Sequence, residues 1–284
     1  MQALLLMKYR LFTFILLFFS STLPVNANEL EPVHYAYANY LGSGIYRTTG
    51  QNASLISMPF SYELGHNGNI SYGLRLPVSI GFFDFDFDFS NIPNLDLPDE
   101  VGTITFTPGI AFNYQYSQNW LIESYIDVGY GRNLTTNRGV NVHSSGISAL
   151  YNFELKNYDS IWANRIYYAS YDGNGYDAQD SYAAVQMGID IGLPLQYKVF
   201  GYQFQPRVFA TAFWYFSEVD FLMPRTQSFD EEKNVTLTNS LEFGFTLAFA
   251  NPLGYSWAGI DRLGLSYRYS KNFSALRLLF SFPI

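Results

Sequence analysis

Residues 260–284 read IDRLGLSYRYSKNFSALRLLFSFPI, and their pattern decides the fold. Apolar and polar side chains alternate strictly on both sides of Lys271-Asn272, which is typical of two β-strands with unlike faces joined by a turn. The apolar face of this predicted hairpin consists of Leu263, Leu265, Tyr267, Tyr269, Leu276, Leu278, Phe280, Phe282 and Ile284. An alternating strand at the C-terminus favours the closing strand of a transmembrane β-barrel, with its apolar face toward lipid. The last hairpin of a soluble sandwich would alternate in the same way.

The composition of the chain favours the barrel. Aromatic residues make up 19% of the sequence, charged residues make up 14%, and there is no cysteine. An ordinary soluble domain is more charged and less aromatic, whereas a barrel in lipid needs two aromatic girdles and a wide apolar band. Because an exported chain without disulfides needs another source of stability, a closed, hydrogen-bonded barrel fits this composition.

The first 27 residues are typical of a secretory signal peptide. A short basic region at Lys8 and Arg10 precedes the apolar run from Leu11 to Phe19, which is too short for a spanning helix. Val25-Asn26-Ala27 then offers a small-x-small cleavage site, although an uncleaved membrane anchor is the alternative. Cleavage would remove two basic residues and leave 14 basic against 24 acidic residues, a net charge of −10. Such an acidic chain argues against nucleic-acid binding, which requires basic patches.

Residues 28–284 are predicted to form one all-β domain, a transmembrane antiparallel barrel, with residues 28–34 as a short periplasmic lead. Spanning elements must be β because no run in this part is long enough for a spanning helix. The first ten predicted strands cover residues 35–47, 53–64, 70–81, 101–116, 120–131, 139–155, 160–171, 181–193, 198–216 and 234–250. With the terminal hairpin the count is twelve, an even number as in bacterial barrels. The facing of 160–171 stays open, and Glu31 to Leu41 is alternatively a short helix plugging the lumen.

The predicted connections alternate in length. Short turns fall at 65–68, 117–119, 156–158 and 194–197, whereas longer loops fall at 90–100, 132–138, 172–180 and 217–233. Outer-membrane barrels have short periplasmic turns and longer outer loops. This alternation therefore predicts that both termini lie in the periplasm.

The terminal strands resemble those of autotransporter-type β-barrels, specifically the small family of solitary outer-membrane autotransporter barrels. The residues that carry the resemblance are Trp257-Ala258-Gly259-Ile260-Asp261-Arg262-Leu263-Gly264-Leu265-Ser266-Tyr267-Arg268-Tyr269 and the alternating terminus to Phe282. The resemblance implies a translocator-like barrel without a passenger in the bacterial outer membrane. Its partners would be outer-membrane lipid, lipopolysaccharide and the barrel-assembly machinery, which reads the C-terminal strand. The chain departs from the family in ending with Pro283-Ile284 rather than an aromatic residue, and in showing no cargo.

Twelve charged residues are predicted to face the lumen. The acids are Glu63, Glu123, Asp127, Glu154, Asp190 and Glu242, and the arginines are Arg75, Arg165, Arg207, Arg262, Arg268 and Arg277. Equal numbers predict mutual neutralisation by bidentate pairs, whereas an ion-selective porin needs a field of one sign. The sequence therefore predicts a narrow or partly filled lumen with weak ion selectivity. The alternative is that about half of these side chains pair weakly in water at the rims.

Two short motifs offer other chemistry. Asp84, Asp86 and Asp88 put three carboxylates on one strand edge, where oxygen ligands could bind Ca²⁺, although a solvated acidic edge is the simpler interpretation. His143-Ser144-Ser145-Gly146 is similar to the His-x-Ser pair of outer-membrane phospholipase A, also a twelve-stranded barrel. There a histidine base activates a serine and needs an orienting group; Asn157 and Asn164 are the candidates. The alternative is a polar rim.

The function predicted from these features is a non-enzymatic pore, transport or surface structural protein without a cofactor or metal site. The three histidines are scattered, which gives a histidine metal site no support. A lipid hydrolase that uses His143 and Ser145 is one alternative. The other is a surface adhesin or receptor that binds an unknown ligand through its outer loops, above all residues 217–233, which carry Arg225, Asp230, Glu231, Glu232 and Lys233.

Overall fold

The computed structural model describes residues 44–48, 51–83, 102–134, 136–174, 179–199, 201–221, 235–254, 260–271 and 273–284. Within these ranges the chain forms fourteen β-segments. They are β1 (Gly44–Thr48), β2 (Gln51–Asn67), β3 (Ile70–Phe83), β4 (Thr103–Phe106), β5 (Gly109–Gln115), β6 (Trp120–Asn133), β7 (Gly139–Leu155), β8 (Tyr158–Gly173), β9 (Gln179–Gly192), β10 (Tyr197–Val199), β11 (Tyr202–Phe221), β12 (Val235–Leu253), β13 (Ile260–Ser270) and β14 (Phe273–Leu279). No helix in these ranges is long and apolar enough to cross a membrane.

The segments form one closed antiparallel sheet. β1 pairs with β2 on one side and with the last strand, β14, on the other, where Gly44 lies opposite Arg277. The remaining segments pair in chain order around the ring, and β9 pairs with β11. A closed ring gives every strand two hydrogen-bonded neighbours and removes the exposed edges of an open sheet. The predicted all-β antiparallel barrel is confirmed.

The fourteen described segments correspond to twelve barrel strands. β4 and β5 keep one register against β6, with Phe106 opposite Tyr130 and Gly109 opposite Asp127, so they are one strand interrupted at Thr107-Pro108. Proline explains the interruption because it has no N–H to donate to the ladder. β10 also continues β9 along β11, but after a bulge that shifts the register by two residues, since Arg207 lies opposite Gly192 and Phe204 lies opposite Tyr197. The predicted strand number is therefore confirmed for the described part of the barrel.

The two rims of the barrel differ. One rim, called the terminus rim because β14 runs toward it, carries the tight turns at Gly68-Asn69 and Lys156-Asn157. Gly68, Lys156 and Asn157 have φ values of 58°, 50° and 69°, as two-residue hairpin turns require. The opposite rim, called the loop rim, carries the strand ends that flank residues 84–101, 134–138, 174–178 and 222–234. The predicted short turns at 65–68, 117–119 and 156–158 lie at the terminus rim, whereas the loop rim carries the long connections and also two-residue connections at 49–50 and 271–272. The periplasmic position of the terminus rim stays a prediction.

The outer face of the barrel is apolar and the inner face is polar. On β13, Leu263 and Leu265 are exposed, whereas Arg262 and Arg268 are buried. Soluble proteins show the reverse distribution, and lipid outside the barrel accounts for this one. Near the terminus rim, outer aromatic rings pack in pairs, as in an interfacial girdle; the pairs are Tyr114–Tyr116, Trp120–Tyr151, Tyr197–Phe204 and Phe204–Phe249.

The facing of β8, which the sequence left open, follows from burial. Ala163 and Tyr167 are buried on the inner face, and Trp162 and Ile166 are exposed on the outer face. The pattern was ambiguous because both faces carry apolar and aromatic side chains. This facing places Arg165 inside the barrel.

The prediction for the last five residues is wrong. The alternation continues to Ile284, but β14 ends at Leu279, whose pairing with Gly264 is the last contact of the β13–β14 ladder. Ile284 is only 1% exposed and Pro283 is buried, so neither lies on the lipid face. Because Pro283 has no N–H to donate, these residues do not continue as a regular strand, and the chain turns into the barrel interior.

Three other boundaries differ from the prediction or fall outside the described residues. The predicted turn at 194–197 is the bulge between β9 and β10, and the true hairpin turn contains Gly201, whose φ is 88°. β11 continues to Phe221, into the predicted loop 217–233. Residues 1–43, which include the predicted signal peptide, the lead and the alternative lumen helix, lie outside the described residues.

Candidate site in the barrel lumen

The inner wall gathers most of the charged side chains that the sequence placed in the lumen. Seven of them are buried, namely Asp127, Asp190, Arg207, Glu242, Arg262, Arg268 and Arg277. Arg75, Glu123 and Arg165 are half-buried. Glu63 and Glu154 are exposed at the terminus rim, because their strands turn a few residues further on. The structure therefore brings together ten of the twelve residues along the wall and leaves these two in solvent.

The first group, the Asp190 cluster, lies toward the terminus rim and consists of Asp159, Asp190, Arg207 and Arg262. Asp190 accepts a hydrogen bond from Arg207 Nε on one carboxylate oxygen and from Arg262 Nη1, at 2.5 Å, on the other. Arg207 Nη1 also donates to Asp159 Oδ2 at 2.8 Å. Two arginines and two carboxylates thus neutralise each other, and the pair from Arg262 to Asp190 ties β13 to β9 across β11 and β12.

The second group, the Glu242 cluster, lies on β12, β13 and β14. Glu242 accepts hydrogen bonds from Ser266 Oγ and Arg277 Nη1, both at 2.6 Å. Nearby, Arg268 donates from Nε to Ser240 Oγ at 2.9 Å. Its guanidinium stacks 3.6 Å from the centre of the Phe213 ring, a cation–π contact that desolvation strengthens.

The third group, the Asp127 cluster, lies on the opposite wall. Arg75 approaches Asp127 with Nε at 2.9 Å and Nη2 at 3.2 Å, the two-pronged geometry that arginine offers to carboxylates. Ser144 Oγ donates to the same carboxylate at 3.2 Å, and Arg75 lies 4.1 Å above the Tyr125 ring. Next to this group, Arg165 Nε donates to Ser148 Oγ at 2.8 Å.

The chemistry of these clusters is that of a neutralised wall. Each cluster joins a buried carboxylate to at least one arginine, and charges held this closely present little net field to a passing ion. No group of metal-binding side chains occurs within the described ranges. The arrangement can therefore stiffen the barrel and fill its interior.

Sequence reasoning missed several partners in these clusters. Asp159 lay between the predicted turn at 156–158 and the predicted strand 160–171, but β8 begins at Tyr158 and brings it to Arg207. Phe213 and Tyr215 lie on the inner face of β11 and alternate with the outward Trp214 and Phe216. The alternation of the sequence already placed these two residues on the inner face. Aromatic residues on the same face as arginines were the available signal for cation–π contacts.

The suggested hydrolase residues stand on the outer face. His143 is exposed and Ser145 is half-buried there, two residues apart on β7, so their Cα atoms are about 7 Å apart. Neither side chain forms a hydrogen bond or ion pair with the described part of the chain. Asn157 occupies the turn at the terminus rim, and Asn164 lies four residues along β8 from Tyr168, the residue opposite Ser145, roughly 13 Å away.

Two predicted candidates fall outside the described residues. Asp84, Asp86 and Asp88, the suggested calcium ligands, belong to residues 84–101. Arg225, Asp230, Glu231, Glu232 and Lys233, the charges of the suggested binding loop, belong to residues 222–234. Both hypotheses stay predictions.

Solved structures resemble this chain more clearly than known sequences do. No protein-family model matches the chain, and no curated protein matches it. Among solved structures, the chain is similar to the crystal structure of the beta domain of the Bordetella autotransporter BrkA. The TM-score is 0.49 and the identity is 12%, with 84% of this chain and 96% of that chain covered.

Proposed function

We propose that this protein is an integral β-barrel of the bacterial outer membrane, of autotransporter type. The observation that carries the proposal is the distribution of side chains: Leu265 and Phe243 are exposed on the outside, whereas Arg268 and Glu242 are buried inside. Hydrocarbon solvates such an exterior, and only a closed barrel lets β-strands cross it with every backbone group paired. Residues 1–27 would be a signal peptide that directs export, and residues 28–284 would be the barrel domain.

The role that this lumen supports best is a narrow pore or a surface structural barrel, non-enzymatic and without a cofactor. Porins keep a polar, water-filled interior. In this chain, by contrast, the interior side chains are engaged with each other, since Asp127, Asp190 and Glu242 are all paired with arginines. A lumen filled in this way favours a small conductance with weak ion selectivity.

The partners follow from the same picture. Outer-membrane lipid and lipopolysaccharide would cover the apolar face, and the barrel-assembly machinery would recognise the C-terminal strand. The outward residues of β14 are Leu276 and Leu278, because the last five residues leave the strand. Recognition would therefore depend on β14 itself rather than on a terminal aromatic residue.

The experiment that tests this function is single-channel recording on the mature chain, refolded and inserted into planar lipid bilayers. We expect a small conductance whose reversal potential in a salt gradient stays close to zero. A large, strongly anion-selective conductance would contradict the neutralised lumen. Failure to insert into any bilayer would contradict the membrane proposal itself.

A further inference from the structure

The last five residues leave the wall of the barrel and enter its interior. β14 ends at Leu279, and the chain then runs to Ile284, which is 1% exposed. We call residues 280–284 the C-terminal tail. Its end is buried against β7 and β8, on the other side of the ring from β14. Four barrel strands separate β14 from β8 in one direction and six in the other, so the tail bridges the lumen rather than following the wall.

An apolar patch on the far wall receives the tail. Ile284 forms one buried cluster with Leu150 and Ala163. Phe282 of the tail and the wall residues Leu121 and Ile161 pack around this cluster. These wall residues form an apolar patch close to the charged clusters, and burying them against the tail removes apolar surface from water.

A glycine opposite the tip of the tail leaves room for it. A Cβ atom added at Gly188 would lie 2.7 Å from Ile284 Cδ1 and 2.8 Å from the Ala210 carbonyl oxygen. Contacts this short do not occur between real side chains, so a larger residue here would have to displace its neighbours. Glycine at position 188 therefore leaves room both for the backbone of the neighbouring strand and for the Ile284 side chain.

Polar contacts fix the tail between the patch and the ion pairs. Gln186 is buried, and its Nε2 donates to the Pro283 carbonyl oxygen at 3.2 Å. The Arg262 guanidinium lies 4.7 Å from the centre of the Phe282 ring. Because Arg262 belongs to the Asp190 cluster, the tail packs against the ion pairs that lie in the lumen near the terminus rim.

We propose that the C-terminal tail is a built-in plug, and that the patch formed by Leu121, Leu150, Ile161 and Ala163 is its binding site on the inner wall. The tail narrows the lumen between β14 and β8, and its release widens the path past the Asp190 cluster. This inference rests on the proposed function, because a plug has a role only in a barrel that spans a bilayer.

The position of the plug is tested by cross-linking, which the absence of native cysteine makes unambiguous. The double variant Ala163→Cys with Ile284→Cys joins two members of one buried cluster. The matched control is Asn164→Cys with Ile284→Cys, because Asn164 is the next residue along β8 and lies on its outer face. We expect a short thiol-specific cross-linker to join the first pair in folded, membrane-inserted protein and to leave the control unjoined. Equal or absent cross-linking in both would overturn the proposal.

The closing role is tested by single-channel recording on chains refolded without assembly machinery. We expect a several-fold larger conductance when the chain ends at Phe282, and the same increase for Ile284→Asp, which places a charge in the apolar patch. Ile284→Val should keep the wild-type conductance. Conductance unchanged in both disruptive variants, in protein that inserts normally, would overturn the plug. Failure of the wild type to insert would instead contradict the proposed function.

Discussion

Asp190 shows how much a single inner-wall residue holds together. Its carboxylate binds Arg207 with one oxygen and Arg262 with the other, and its side chain is fully buried. Burying charges is costly, and the cost is recovered only while all partners are present. Removing the carboxylate would leave two arginines close together without their shared anion.

We therefore expect Asp190→Asn to destabilise the barrel. Loss of one partner of a buried ion pair costs about 3–5 kcal/mol. Urea unfolding in lipid vesicles, followed by tryptophan fluorescence, measures the free energy of unfolding. Glu154→Gln, at an exposed rim carboxylate, is the control and should change it by less than about 0.5 kcal/mol. Equal effects of the two substitutions would mean that the Asp190 cluster is solvated.

Glu242 makes a prediction about ion selectivity. Glu242→Gln keeps the size of the side chain but leaves Arg277 without its anion, so the inner wall gains net positive charge. We expect the reversal potential in a salt gradient to shift toward anions. Glu154→Gln should leave it unchanged, and an unchanged reversal potential for Glu242→Gln would show that the Glu242 cluster does not face the ion path.

Sequence periodicity predicts the inner residues well and their partners poorly. Strand parity placed Asp190, Arg207 and Arg262 on one face, because alternation follows from local backbone geometry. Their pairing depends on register across three strands and on the curvature of the ring, which no local pattern contains. Asp159 was missed for this reason, since it meets Arg207 only when β8 and β11 both pair with β9.

Among the elements, β6 illustrates how glycine permits a close backbone approach. The interruption at Thr107-Pro108 presses against Gly129, where an added Cβ atom would collide with the Phe106 carbonyl oxygen and the Thr107 Cα. The neighbouring backbone cannot move aside without breaking its own hydrogen bonds, such as that from the Val128 N–H to the Pro108 carbonyl oxygen at 3.0 Å.

Gly129→Val is therefore expected to impair the barrel. Overpacking of this kind costs about 1–3 kcal/mol or more. The thermal transition of the folded band on unheated gels should fall by several degrees relative to the wild type. Val128→Ala, at the adjacent outward residue, is the control and should change it little. Wild-type behaviour of Gly129→Val would mean that β4 and β5 do not pack against β6 as described.

The outer face of β6 makes a prediction about membrane depth. Ile126 is exposed near the middle of the strand, whereas Trp120 is exposed at the terminus rim. An arginine at the bilayer midplane costs about 2–4 kcal/mol, and one near the interface costs about 0–1 kcal/mol. Ile126→Arg should therefore lower the free energy of unfolding in vesicles much more than Trp120→Arg. Similar effects at both positions would argue against a bilayer around β6.

The C-terminal element marks a limit of pattern reasoning. Alternation in residues 273–279 predicts β14 correctly, and the same alternation in residues 280–284 predicts a strand that does not form. Pro283 was the local signal that the ladder ends. The position of Ile284 could not be predicted, because the residues that contact it belong to β7, β8 and β9, which lie far away in sequence.

At the scale of the whole molecule, hydrocarbon around the outside of the barrel explains the distribution of its side chains. The ring closes through β1 and β14, apolar side chains surround it, and paired charges together with the C-terminal tail fill it. In water this surface would be a very large exposed apolar patch, far beyond what soluble monomers tolerate. In hydrocarbon it is the stable arrangement.

The most direct measurement of this central claim is sedimentation velocity on the mature chain, refolded with and without amphiphile. We predict that the chain is folded and monodisperse in detergent micelles or lipid nanodiscs. In plain buffer it should aggregate, and adding detergent before refolding should rescue it. A compact, monodisperse species in plain buffer, with the same β-sheet circular dichroism spectrum as in detergent, would contradict the account.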